Sequence, residues 1–117
     1  MVLALIDEGA DMNAQNHDGK TALMTCIDEG HSDVAHFLLS RNVGMDVRDK
    51  HGYTALIRAC HKGRRDIALA LIDAGADVLA KSTFGITALL AAERHEPRQD
   101  ELVQALLERG ASRWTQS

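Results

Sequence analysis

A chain of 117 residues with 45% hydrophobic but only 3% aromatic content can build one small domain, whose core must be aliphatic and rich in alanine. Its net charge of -4 and pI of about 5.8 give no global attraction to nucleic acid or an anionic membrane, so any electrostatic function has to be local. Two cysteines, Cys26 and Cys60, form no CxxC pair or even-numbered framework, which predicts reduced thiols in an intracellular protein.

The opening apolar run, Val2 to Ile6, meets Asp7 and Glu8 at once and has no basic leader, which argues against a signal peptide or a membrane-spanning helix. Met1 to Glu8 reads as a helix ending at Gly9, the second helix of a unit whose first helix is missing. Val2, Leu5 and Ile6 would then be left bare, so this end is expected either to self-associate or to follow repeats missing upstream.

From residue 17 onward the chain repeats itself. Gly-x-Thr-Ala-Leu occurs at Gly19, Gly52 and Gly85, at intervals of 33 residues. A fixed period of this length is the signature of a repeat architecture. After each Gly-x-Thr comes a short, small-residue helix ("TALMTCIDEG", "TALIRACHKG", "TALLAAERHE"), with Thr21, Thr54 and Thr87 placed to cap orphan backbone N–H groups. Leu23, Leu56 and Leu89 share a face with Cys26, Ala59 and Ala92 three residues later.

A second helix follows in each unit. Val34, Phe37 and Leu38, then Ile67, Ala70 and Leu71, then Leu102, Ala105 and Leu106 repeat one apolar stripe. Asn42, Gly75 and Gly110 mark where these helices stop, as residues that tolerate a left-handed backbone. Between each stop and the next glycine lie polar, turn-rich segments such as "ADMNAQNHD" and "ADVLAKSTF", suited to projecting hairpins. One such unit cannot bury its apolar face alone, but stacked copies can.

This pattern resembles the ankyrin repeat family. Gly19, Thr21, Leu23, Gly30, His31, Leu38 and Leu39 carry the likeness in one unit, and Asp49, Gly52, Thr54, Leu56, Ala59, Gly63, Gly75, Ala76 and Asp77 carry it in the next. Gly85, Thr87, Leu89, Ala92, Leu106, Leu107, Gly110 and Ala111 carry it in the third, and "GADMNA" at 9–14 closes a preceding one. The resemblance implies an all-α solenoid of stacked helix-turn-helix units with projecting β-hairpin loops. It divides the chain into a half-repeat at 1–16, repeats at 17–49 and 50–82, and a last repeat with a capping tail at 83–117. That last repeat carries two extra residues in "HEPRQD" and a break at Pro97. Ala22, Ala55 and Ala88 replace the family's proline, and Met24, Ile57 and Leu90 replace its histidine, so apolar packing is expected where the family has an imidazole network.

No His, Cys or carboxylate spacing fits a metal site, and no nucleophile-base order or phosphate-cradling glycine loop emerges, so neither cofactor nor catalysis is expected. Counted by unit, the charges are -3, -3, +3 and -1, summing to -4, and only residues 50–82 are basic. The resemblance implies that hairpin tips and first helices line a concave surface for a protein partner. Positions that differ between units cluster there: Thr25, Arg58 and Ala91; Lys20, Tyr53 and Ile86; Asp18, His51 and Phe84.

The expected contact residues are therefore Arg48, Lys50, His51, Tyr53, Arg58, His61, Lys62, Phe84 and Ile86, facing a segment that is both acidic and apolar. Phe84 and Ile86 could equally serve lateral packing between adjacent hairpins. A non-catalytic protein-interaction module is the leading reading, and a structural or regulatory segment of a longer enzyme or scaffold is the alternative. Nucleic-acid binding is not expected, because the chain is acidic and has no base-reading element. Asn13, with Leu5 eight residues before it, resembles the site of asparaginyl hydroxylation found in some ankyrin repeats.

Overall fold

The computed structural model describes residues 15–41, 44–95 and 99–109. Among them lie six helices in three pairs: α1 (Ala22–Glu29) with α2 (Ser32–Ser40), α3 (Ala55–Lys62) with α4 (Arg65–Asp73), and α5 (Ala88–Arg94) with α6 (Asp100–Glu108). The first helices form one layer, α1 on α3 on α5, and the second helices form another, α2 on α4 on α6. The body is elongated accordingly, at 43 × 25 × 23 Å. No helix among the described residues is long and apolar enough to cross a membrane.

Each first helix starts where its threonine stands. Thr21, Thr54 and Thr87 have extended backbones, and their hydroxyls accept from the N–H groups of Met24, Ile57 and Leu90 at 3.3, 3.3 and 3.1 Å. α1 and α3 stop at Gly30 and Gly63, which are left-handed, with φ of 76° and 74°. α5 has no such glycine and ends instead at His95 in an extended conformation.

Side chains from the following unit supply much of the remaining satisfaction at these ends. Arg64 Nε donates to the Ile27 carbonyl at 2.9 Å, Gln99 Nε2 to the Cys60 carbonyl at 2.7 Å, and Arg109 Nη1 to the Ile72 carbonyl at 3.1 Å. Each bond ties a C-terminal carbonyl of one pair to the next pair, so capping and stacking are the same interaction.

The core runs continuously through both layers. Leu23, Ile27, Leu56, Ala59, Leu89 and Ala92 fill the first-helix side. Met24 and Ile57, standing where the family has histidine, are buried, and Leu90 is half-buried. In the second helices the deepest positions are Ala35 and Leu38, Ala68 and Leu71, and Val103 and Leu106, together with Ile67 and Leu102. Of the expected stripe, Leu38, Ile67, Leu71, Leu102 and Leu106 are fully buried and Val34, Phe37, Ala70 and Ala105 only half-buried, while Ala35, Ala68 and Val103 are buried beside them.

Cys26 and Cys60 are free, buried thiols; desolvation raises the pKa of both, that of Cys60 to about 12. No strand is present among the described residues; each tip is closed by one backbone bond, from the N–H groups of Asn16, Asp49 and Ser82 to the carbonyls of Lys20, Tyr53 and Ile86 at 3.0, 3.0 and 2.9 Å. The helix stop at Gly75 (φ 98°) lies within the described residues. The stops at Gly9, Asn42 and Gly110, the bare face of Val2, Leu5 and Ile6, the Asn13 site and Pro97 lie outside them.

Candidate partner-binding surface

The tips before each first helix are built on one device. Asn16 Oδ1 accepts from the N–H groups of Asp18 and Lys20 at 2.9 and 3.0 Å, and Asp49 Oδ1 from those of His51 and Tyr53 at 2.8 and 2.9 Å. Ser82 Oγ does the same for Phe84 and Ile86, at 3.1 Å each. A short polar side chain three residues before the tip glycine thus folds each turn onto itself.

The tips then bond to one another: Lys50 N–H donates to the Asp18 carbonyl at 2.9 Å, and Thr83 N–H to the His51 carbonyl at 2.8 Å. This approach explains Gly19 and Gly52, since a Cβ on either would stand 2.7 Å from a backbone nitrogen of the next tip, that of Lys50 or Thr83. Gln15 Nε2 reaches the Arg48 carbonyl at 2.8 Å, and Arg48 in turn donates to the carbonyls of Gly52 (3.1 Å) and Lys81. Arg48, expected to meet a partner, spends its guanidinium clamping one tip to the next.

Arg58 also departs from expectation. It is 9% exposed, with Nη1 donating to Asp28 at 3.1 and 3.2 Å and Nη2 to Asp49 Oδ2. Its Nε is buried without a partner among the described residues. Burial alone would raise the Asp28 pKa, but Lys20, 2.7 Å away, and Arg58 outweigh it and hold the carboxyl below its ordinary value.

The anchor and the first-helix position nine residues on are matched in every unit. Where the helix position is uncharged, as at Thr25 and Ala91, the anchor is Asn16 or Ser82; where it is Arg58, the anchor is Asp49. The basic character of residues 50–82 is therefore partly cancelled inside the fold. Around this site Lys20, Lys50, Arg58 and Lys62 face Asp18, Asp28 and Asp49, four against three, for a local charge of +1 rather than a broad positive field.

Tyr53 is half-buried. Arg58 lies over its ring at 5.7 Å, and His61 stacks beside it with centroids 6.5 Å apart. That stacked pair is shared by two adjoining depressions. One, of about 320 Å³, is polar, and lining it are Asp18, Lys20, Asp49, Lys50, His51, Arg58 and Lys62 as well. The other, of about 360 Å³, adds Ile86, Ala91, Arg94 and His95 and is more apolar.

Phe84, at the neighbouring tip, touches the His51 ring at 5.8 Å yet is 66% exposed, and Ile86 is half-buried against the core. The surface thus brings together Lys50, His51, Tyr53, His61, Lys62, Phe84 and Ile86, and takes Arg48 and Arg58 for its scaffolding. The anchor set and the Arg58–Asp28–Asp49 cluster escaped the sequence reading; the charge match between positions 49 and 58 was the signal that could have revealed them. No group of three or more His, Cys, Asp or Glu able to hold a metal occurs among the described residues.

Helix pairs stacked in two layers, with threonine-capped first helices and turn tips bonded edge to edge, define a tandem-repeat solenoid whose exposed tips and first helices form one continuous surface. Residues 1–82 match the family described as "Ankyrin repeats (3 copies)", and the chain belongs to that family. The α5–α6 pair lies beyond the matched stretch and continues the same stack. No curated protein matches the chain. Ankyrin repeats are generally protein-protein interaction modules.

Proposed function

We propose that this chain binds a partner protein, without catalysis, through the surface formed by its tips and first helices, and that the partner supplies a segment both acidic and apolar. The observation that carries this reading is Phe84. A phenylalanine two-thirds exposed at a tip, in ring contact with His51 of the polar depression and two residues from Ile86 of the apolar one, is an anchor awaiting cover. Lys62 supplies the charge, since it has no hydrogen-bond or ion-pair partner among the described residues, whereas Lys50 already holds Asp18 at 2.9 Å.

Selection of peptides from a display library on the intact chain, followed by calorimetry on variants, tests the assignment. Phe84→Ala should weaken the selected peptides by about 30-fold, equivalent to about 2 kcal/mol for a buried anchor. Lys62→Glu should chiefly slow association, in a manner that added salt diminishes. Gln104→Ala and His36→Ala, both exposed on the second-helix layer, should change nothing. Binding that survives the first two substitutions and fails with the last two would move the site to the opposite face.

A further inference from the structure

The polar depression has more donors than the chain can use. Each carboxylate lining it is already engaged: Asp49 Oδ1 accepts from two backbone N–H groups and Oδ2 from Arg58, while Asp18 pairs with Lys50. Lys62, His51, His61 and Tyr53 line the same depression, and the ammonium, the two imidazole rings and the hydroxyl they carry have no hydrogen-bond or ion-pair acceptor among the described residues. They come from two elements, the tip and the last turn of α3, so they approach the space from different sides.

We infer that this depression seats a phosphate group carried on a side chain of the partner, a conclusion that rests on the protein-binding reading and specifies its chemistry. A carboxylate offers two oxygens in one plane and a single charge. A phosphate monoester offers three oxygens directed apart and about -1.5 to -2 charges at neutral pH, which matches donors spread over a tip and a helix end. The volume of about 320 Å³ accommodates the group together with the end of its side chain. The stacked Tyr53–His61 pair then separates the phosphate from the neighbouring apolar depression, so a phosphorylated residue and an apolar residue close to it would occupy the two together.

The test uses the intact chain and three probes: inorganic phosphate, a peptide pool with a fixed phosphoserine, phosphothreonine or phosphotyrosine, and the same pool with aspartate in its place. Amide shifts of His51, Tyr53, His61 and Lys62 should move saturably with inorganic phosphate and remain still with acetate at equal ionic strength. The phosphorylated pool should bind at least tenfold more tightly than the aspartate pool, and Lys62→Gln and His61→Gln should each remove most of that preference. These two exposed positions lie outside the buried core, and the far-ultraviolet spectrum of each variant checks that it folds.

Equal binding of the two pools, or phosphate-induced shifts spread over exposed lysines such as Lys50 instead of centred on these four residues, would overturn the inference. If unphosphorylated peptides bind and are lost with Phe84→Ala while phosphate has no effect, the protein-binding reading stands and the phosphate seat does not. If no peptide of any kind binds, both fail.

Discussion

Removing the Arg58 guanidinium should destabilise the stack through the carboxylate it leaves behind. In Arg58→Ala, Asp28 retains Lys20, and Asp49 Oδ1 retains two backbone donors, but Asp49 Oδ2 loses its Arg58 partner with the side chain just 1% exposed. Breaking a buried ion pair from one side costs about 3–5 kcal/mol. Because both carboxylates retain other donors, and because the partnerless Arg58 Nε disappears with the substitution, the lower end applies, about 3 kcal/mol. The third unit shows how to relieve the loss, since Ser82 anchors its tip with Ala91 at the position corresponding to Arg58. Arg58→Ala combined with Asp49→Ser should therefore recover about 2 kcal/mol of the 3 kcal/mol, and because the cost of Asp49→Ser alone adds to this recovery, the coupling is at least about 2 kcal/mol. Urea unfolding followed by circular dichroism at 222 nm measures wild type, both single variants and the double variant. A double variant no more stable than Arg58→Ala would refute the charge-matching account.

Other expectations follow from the same contacts. Gly52→Ala should cost more than Gly85→Ala, since both need φ near 80° but at Gly52 the new Cβ would meet backbone, 2.7 Å from Thr83 N, whereas at Gly85 nothing among the described residues lies within 4 Å. The Gly85 change alone should cost about 1–2 kcal/mol, and equal losses in thermal melts would contradict the tip-to-tip packing. Thr54→Ala should lose about 1 kcal/mol with the cap to Ile57 N–H, measurable by urea titration. Because the Asp28 pKa lies below its unfolded value, its contribution is complete above the ordinary carboxylate pKa and is lost as pH falls through the folded value; acid titration of stability should show this loss shrinking in Arg58→Ala. Cys60 behaves oppositely. Its pKa is raised to about 12, so above about pH 9 the unfolded chain sheds the thiol proton first and stability declines. At pH 8, a thiol reagent should label Cys60 only at the rate of unfolding.

The stack was legible in the sequence because its instructions are local and repeated. Glycine before threonine sets the tip, the threonine hydroxyl caps the helix three residues on, and the apolar period places Leu23, Leu56 and Leu89 in one layer. Each of those relations spans a few residues, so it can be read off contiguous text, and the interval of 33 states that the units stack. Much of the candidate site was legible on the same basis, since Lys50, His51, Tyr53, His61, Lys62 and Ile86 do border the two depressions and Phe84 is exposed beside them. What could not be read was which charges are free. Arg48 and Arg58 look like surface cations until the fold brings Lys81, 33 residues away, to one and Asp28, 30 residues away, to the other. A long charged side chain carries no local instruction about its partner. Its burial and its residual charge depend on what the neighbouring repeat presents at that distance, which only the tertiary structure decides.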